Sequence, residues 1–485
     1  MSRSGYAFSA ALVLLAIGVP SARAQQQVQQ QQETPDQRQT PIPALVAATD
    51  NGNAEDADSQ KLAPDTRPLS GAETLSVGVP PLTHSYWLPH FDAYSTADSN
   101  GLSATTETGW TTYTSLLGGL DLHRMSGSSD MVLDYMGGGV ISTDGSLGNA
   151  VIQQLQFSDQ FTFRRTVLSF MDQAGYLPET SFGYGGLGGL ILPGGGSLGL
   201  QNGVVPGQSI LTARGQRVTN SFLTEIDRSL TPRSSLTFVG GYSLLHYFNI
   251  NLIDFADSVF QAGYNYQMSR ENTIAVLYRF NAYRYSNFNQ SINDNIVQLS
   301  YGRRVTGRLA FQVGAGPEVA MLRMPISGAS SGTDSTSTNY TTKAYWSLNT
   351  SLSYQLRRTG LGLAYSHALG GGSGVLAGSL ADTVSGSVER QFSRSFHGSF
   401  NFGYSRNTGL AGFTATSTTD QTYGYWFGGV NLAHQMGRLL NLFLSYQVQY
   451  QGSNSQFCVG LTCGTSIVRH QASIGFNWRD HPIAF

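Results

Sequence analysis

The sequence is poor in charge, in lysine and in long apolar runs. Charged residues make up 12% of the chain, about half of the ~25% that is usual in soluble domains. The net charge is -2, and the basic residues are almost all Arg, so the basic surface typical of nucleic-acid-binding proteins is missing. After residue 24 no apolar run reaches the ~18 residues of a membrane-spanning helix, which excludes a bundle of transmembrane helices.

The N-terminus has the three parts of a secretory signal peptide. Arg3 precedes an apolar run from Ala7 to Val19, and Ala22-Arg23-Ala24 is a small-x-small cleavage site. We therefore predict a signal peptide over residues 1–24 and export from the cytoplasm. Residues 25–84 are rich in Gln, Asp, Ala, Pro and Thr and show no apolar periodicity. They are predicted to form a disordered periplasmic tail.

Residues 85–485 alternate between apolar and polar side chains with a period of two. Between Leu440 and Gln451 the even positions are apolar and most odd positions are Asn, Ser or Gln, as expected of a strand with one apolar and one polar face. Short turns that carry Arg alternate with longer loops rich in Gly, Ser and Thr. The pattern predicts an all-β fold, a transmembrane antiparallel β-barrel of about 18 strands in the bacterial outer membrane. A barrel of 16 strands is the alternative, because Pro89 interrupts the first predicted strand.

The polar faces of these strands provide the candidate lumen residues. In a barrel the apolar face contacts lipid and the polar face lines the interior. The predicted lumen residues are Gln261, Asn265, Arg279, Asn281, Gln447 and Gln449.

The signal peptide, the alternation of short turns with long loops, the strand count and the last residue, Phe485, together resemble the general porins. That resemblance implies that the third outer loop, residues 178–216, folds inward and narrows the channel. The constriction would include Gly183, Leu190, Ile191, Leu192 and Arg214. The loop departs from the porin pattern because it is dominated by Gly and has few charges, so an apolar plug or gate is an equal expectation.

The resemblance also implies a C-terminal signal for the barrel assembly machinery and a homo-oligomer, a trimer in porins. The signal residues would be Phe476, Trp478 and Phe485, although Asp480-His481-Pro482 interrupts the terminal alternation.

The two cysteines, Cys458 and Cys463, are expected to form a local disulfide in an exported chain. A zinc pair is the weaker alternative, since only His470 lies near them in sequence. The Gly195–Gly199 match to G-x-S-x-G and the Gly183–Gly188 match to a dinucleotide fingerprint both lack the required strand and helix context. We predict no cofactor, no metal site and no enzymatic activity. A Ser-His pair that uses His434 or His470 at the lipid boundary remains a weak hypothesis.

The predicted function is passive diffusion of small polar solutes through an outer-membrane channel. The alternative is a non-conducting structural or interaction barrel in envelope assembly or surface-polymer export. The predicted partners are outer-membrane lipid, the assembly machinery and small polar solutes, with no nucleic acid.

Overall fold

The computed structural model describes residues 68–72, 84–99, 110–143, 149–177, 210, 216–248, 252–286, 290–306, 308–325, 338–372, 374–410, 421–459 and 462–485. Within these ranges no helix is long and apolar enough to cross a membrane. The strands are β1 Tyr86–Asp98, β2 Thr111–Ser126, β3 Ser129–Ser142, β4 Ala150–Thr162, β5 Thr166–Leu177, β6 Arg217–Thr231, β7 Ser234–Tyr247, β8 Phe255–Gln267, β9 Asn272–Tyr285, β10 Gln290–Thr306, β11 Leu309–Pro325, β12 Thr338–Gln355, β13 Thr359–Gly370, β14 Ser379–Gln391, β15 Phe396–Gly409, β16 Thr422–Met436, β17 Leu440–Val459, β18 Thr462–Arg479 and β19 Ile483–Ala484.

Strands β1 to β18 form one closed antiparallel barrel. Each strand pairs with the next along the chain, and β18 pairs back with β1 through nine residue pairs from His90–Arg479 to Asp98–Gln471. Short turns join the strands at one end. Most connections at the other end are longer, although only residues 460–461 join β17 to β18. We call these the short-turn end and the long-loop end. The prediction of about 18 strands is confirmed, and the alternative of 16 is wrong.

Pro89 does not end the first strand, because it lies where its missing N–H is not needed. It pairs with Leu120 of β2, while the pairing of β1 with β18 begins one residue later, at His90. The Pro89 carbonyl accepts the N–H of Asp480 at 3.1 Å. Proline is tolerated at such edges, so β1 continues through it. Beyond this point β19 pairs with Tyr86 and Trp87.

The two faces of the wall follow the predicted alternation. On β8, Phe260 and Tyr264 point outward and are exposed, whereas Gln261 and Asn265 point inward and are buried. The outward set around the barrel is dominated by Leu, Val, Phe, Tyr and Trp. An apolar outer wall on a closed sheet leaves no backbone polar group unpaired toward lipid.

A buried ion pair clamps the seam where the first and last strands meet. The Arg469 Nε donates to both carboxylate oxygens of Asp98, at 3.0 and 2.9 Å, and its NH2 group makes a further short bond to the same carboxylate. Gln471 adds a bond to Asp98 at 3.2 Å. Since Asp98 and Arg469 are 371 residues apart in sequence, their contact ties the two ends of the sheet.

Candidate functional site in the barrel interior

Apolar side chains close part of the interior at the long-loop end. This mouth cluster is built by β7 to β11, by β13 and by the connections after β13 and β15. It consists of Leu245, Tyr247, Phe255, Tyr283, Tyr285, Ile292, Ala320, Leu322, Leu369, Ala377 and Leu410. Because its members come from strands and from connecting segments, the cluster packs the connecting segments against the inner wall of the barrel.

The described residues of the β13–β14 connection, 371–372 and 374–378, fold into the barrel, and we call this connection the inward loop. Gly371 accepts the Tyr285 hydroxyl at 3.0 Å, and Gly374 accepts the Ile253 N–H at 2.8 Å. Gly374 has φ +79°, and a Cβ there would lie 2.5 Å from the Tyr247 hydroxyl oxygen. Only glycine adopts this backbone conformation without strain and leaves room for the tyrosine. The inward loop is therefore held against β7 and β9.

The third outer loop reaches the same region at the one internal position that the structure describes. Ile210 is fully buried against Leu376 of the inward loop and Tyr423 of β16, with Ile467 of β18 beside them. The predicted constriction residues Gly183, Leu190, Ile191, Leu192 and Arg214 lie outside the described residues. The aperture prediction for this loop therefore stays a prediction.

Residues 68–72, which we call the tail segment, lie against the inner wall of β6 to β8. The Ser70 N–H donates to Asn265 Oδ1 at 3.0 Å, and Asn265 Nδ2 donates to Ser70 Oγ at 2.8 Å. The Ala72 N–H donates to Glu225 Oε2 at 2.6 Å. Gln261 Nε2 donates to the Ser70 carbonyl at 2.6 Å. Part of the predicted tail therefore docks inside the barrel.

The wall is shaped to receive this segment. A Cβ on Gly263 of β8 would lie 2.2 Å from Ser70 Cβ, so the glycine provides the space that Ser70 fills. Leu69 packs on Ala275 of β9, and Ala72 joins an apolar cluster with Met171, Leu223, Val239 and Val259. We call Glu225, Gln261, Gly263 and Asn265 the tail seat.

Charged side chains line the inner wall between the tail seat and the mouth cluster. This charged belt consists of Asp257 on β8, Arg279 on β9, Asp294 on β10 and Glu318 on β11, and Arg279 interacts electrostatically with all three carboxyl groups. It touches both neighbouring features. Arg279 Nε donates to Gln261 Oε1 at 2.6 Å, and Glu318 Oε1 accepts the Leu369 N–H at 2.9 Å.

The predicted lumen residues all lie on the inner face and are buried. Gln261 and Asn265 contact the tail segment. Arg279 belongs to the charged belt, and Asn281 Nδ2 donates to Asp294 at 3.4 Å. Gln447 and Gln449 line β17, where Gln449 Nε2 donates to Gln471 at 3.5 Å. The structure thus brings four of them together on β8 and β9 and separates the two on β17.

The inner wall of β12 to β15 is more open. Several of its inward-facing side chains are small, uncharged and partly exposed: Asn349, Ser351 and Ser353 on β12, Ser385 and Ser387 on β14, and Asn401 on β15. We call this set the polar strip. It lies outside the tail seat and the charged belt and presents neutral hydroxyl and amide groups on the inner wall.

Other predicted residues lie outside the interior. Cys458 and Cys463 pair directly across β17 and β18, which is the backbone placement that the predicted disulfide needs. Phe476 and Phe485 are exposed. Trp478 pairs with Phe91. The G-x-S-x-G and dinucleotide matches fall outside the described residues.

The histidines considered for the enzyme hypothesis have other neighbours. The Tyr446 hydroxyl is 2.8 Å from His470 Nδ1, and the His434 ring packs against Phe396.

Sequence reasoning missed the charged belt and the tail seat. In a chain with so little charge, carboxyl groups at inward positions of β8, β10 and β11 were a usable signal for the belt. No local sequence pattern identifies residues 68–72, because the residues that they contact are more than 150 positions away in the sequence.

No family model and no curated protein sequence matches the chain. The chain is similar to several solved bacterial structures, one of them described as an outer-membrane protein. OpdK from Pseudomonas aeruginosa is 10% identical, with 82% of this chain and 98% of that chain covered and a TM-score of 0.38. OccAB3 from Acinetobacter baumannii is 11% identical, with 82% and 99% covered and a TM-score of 0.38. OccK2 from P. aeruginosa, solved with glucuronate, is 10% identical, with 83% and 98% covered and a TM-score of 0.41. The likeness is too distant to transfer a function.

Proposed function

We propose that this protein is an outer-membrane channel for small, uncharged polar solutes. The observation that carries the proposal is the closed wall of 18 strands, which is apolar outside and carries hydroxyl, amide and charged groups inside. A barrel of this size encloses enough room for an aqueous channel. Such a wall suits a bilayer on one side and a hydrated path on the other.

The polar strip supports the choice of solute. Its Ser and Asn side chains are partly exposed, and each can donate and accept hydrogen bonds. The groups of the charged belt are buried and contact one another. A solute that follows the polar strip therefore meets neutral hydrogen-bonding groups, which a sugar or another polyol requires. It meets no strong electrostatic field of one sign.

The chain segments that lie inside the barrel support a gated channel. The inward loop and Ile210 cover the interior at the long-loop end, while the tail segment occupies the wall of β6 to β8. Arg279 of the charged belt bonds to Gln261 of the tail seat, and Glu318 bonds to Leu369 of the mouth cluster. Opening would displace one or both segments and leave the 18 strands in place.

Liposome swelling tests the solute class. The refolded chain from Gln25 onward is placed in liposomes and exposed to isotonic solutions of a neutral disaccharide, a sugar acid and a basic amino acid. We expect faster entry of the neutral solute, and a further increase when residues 371–378 are replaced by a short linker. Equal rates for all three solutes would contradict the assignment of solute class while keeping a channel.

The closed interior also favours a second function, a barrel that holds a partner and does not conduct. Its supporting observation is the tail segment, a stretch of peptide bound along the inner wall. Absence of swelling with every solute, in the intact chain and in the linker variant, would favour this function.

A further inference from the structure

A histidine and two aspartates converge on the inner wall beside the seam, toward the short-turn end. Asp121 of β2 lies directly opposite Asp134 of β3, and His90 extends from β1 toward them. One ligand atom from each of the three side chains lies within 4.8 Å of the other two. His90 Nδ1 and Asp121 Oδ1 are 3.5 Å apart. Three strands thus deliver one possible metal ligand each.

Two of these side chains are buried and carry side-chain atoms without hydrogen bonds. The side chains of His90 and Asp121 are 7% and 8% exposed. Neither His90 Nδ1 nor either oxygen of Asp121 has a hydrogen-bond partner among the described residues. Buried polar groups are nearly always satisfied, and exceptions call for an ion or a water molecule. The Asp121 carboxylate has no hydrogen bond to a described residue and lies 3.5 Å from His90 Nδ1, so this buried group points to a bound cation.

The charge around the cluster is unbalanced. Asp92, Asp121 and Asp134 act on one another, and Arg479 is the cation that acts on all of them. The Arg479 Nε donates at 3.0 Å to the amide oxygen of Asn477, and Asn477 in turn donates to Asp92. Three carboxylates against one guanidinium leave an excess of two negative charges, which one divalent cation neutralises.

Gly119 leaves room for the imidazole ring of His90. A Cβ on Gly119 would lie 2.1 Å from His90 Nε2 and 2.4 Å from its Cε1, so the His90 ring rests directly on the β2 backbone. Imidazole with carboxylates is a donor set that suits Zn²⁺ and related transition metals, whereas Ca²⁺ and Mg²⁺ prefer oxygen alone.

We propose that His90, Asp121 and Asp134 bind a divalent transition-metal cation, with Zn²⁺ as the best match. Bonds of about 2.0–2.2 Å require the ligand atoms to close to about 3.5 Å from one another, which side-chain rotation supplies. The ion would crosslink β1, β2 and β3 next to the seam, and water would complete its coordination. The site is independent of the channel function.

Calorimetric titration with Zn²⁺ alone tests the proposal. The refolded chain from Gln25 onward is stripped with a chelator and titrated beside Asp121→Asn and Asp134→Asn. We expect one equivalent of Zn²⁺ in the unchanged chain, and binding weakened at least about tenfold in each variant, because each loses an anionic ligand. The control is His246→Gln. It removes a His–carboxylate pair at the other end of the barrel, where His246 and Asp254 are 2.6 Å apart and the His side chain is 46% exposed.

A second readout covers a variant that refolds poorly. Co²⁺ added to the unchanged chain should give visible ligand-field absorption, which Zn²⁺ then displaces. Zn²⁺ should also raise the thermal unfolding midpoint of the unchanged chain and of His246→Gln, but not that of Asp121→Asn. Failure of the unchanged chain to bind Zn²⁺ and Co²⁺ would overturn the proposal, and so would equal binding by the unchanged chain and both Asp variants. In either case Arg479 and bound protons would balance the charge of the three carboxyl groups.

Discussion

Replacing Gly263 with Ala should release the tail segment without disturbing the barrel. The added Cβ would lie 2.2 Å from Ser70 Cβ and 3.3 Å from Leu277 Cβ. The first contact is impossible and the second is tight but tolerable, so the tail has to move. Alanine is otherwise acceptable in the middle of a strand, where glycine itself is unfavourable.

The magnitude follows from the contacts of the tail segment. Five hydrogen bonds of 2.6 to 3.2 Å join it to the wall, and at about 1 kcal/mol for each neutral bond and about 2 for the carboxylate bond they contribute about 6 kcal/mol. Burial of Leu69 adds about 2 kcal/mol. Ordering five backbone residues costs about 5–10 kcal/mol. The docked and released states therefore lie within a few kcal/mol of each other.

Loss of two neutral bonds, about 2 kcal/mol, then shifts the ratio of docked to released tail about 30-fold. Single-channel recording in a planar bilayer measures this shift as open time. The matched control is Gly240→Ala on β7, where a Cβ would meet nothing within 4 Å. We expect longer openings for Gly263→Ala, approaching those of a chain that lacks residues 25–80, and no change for Gly240→Ala. Identical records for Gly263→Ala and the unchanged chain, with the truncated chain open, would refute the reasoning.

Three further predictions follow from other parts of the barrel. Asp98→Asn should destabilise the refolded barrel by about 3–5 kcal/mol in urea, because it leaves the buried Arg469 without its partner carboxylate; an unchanged unfolding midpoint would show that the seam does not depend on this pair. Ser385→Arg should shift the reversal potential toward anion selectivity if solutes follow the polar strip, whereas an unchanged potential would place the path elsewhere. Mass spectrometry of the non-reduced chain should find a Cys458–Cys463 crosslink, and free thiols at both positions would contradict it.

The sequence predicted the wall of this barrel well because its signal is local. Alternating side chains such as Phe260 and Gln261 report the two faces of a strand, and Arg-bearing turns report one end of the barrel. Pro89 left a count of 16 strands open as an alternative for the opposite reason. Whether β1 can accommodate this proline depends on where the pairing with β18 ends. That point is set by the register between two strands that are nearly 400 residues apart in sequence.

The contents of the interior could not be predicted in the same way. The inward loop is recognisable only through the contacts of Gly371 and Gly374 with β7 to β9. The sequence prediction of an inward third loop came from a resemblance, and of its internal residues only Ile210 is described. The inner wall also carries the charged belt and apolar clusters, whereas the predicted lumen residues were Gln and Asn with a single Arg. A segment that folds against the inner wall of the barrel shows no periodic pattern in the sequence.

The central claim, a channel closed by its own segments, is tested most directly by single-channel conductance of a chain that lacks both closing segments. This variant begins after the tail segment, at Glu73, and has residues 371–378 replaced by a short linker. The account predicts steady, stepwise conductance in this variant, and rare or smaller openings in the chain from Gln25 onward. A correctly folded variant that remains silent would contradict the claim and show that the barrel does not conduct.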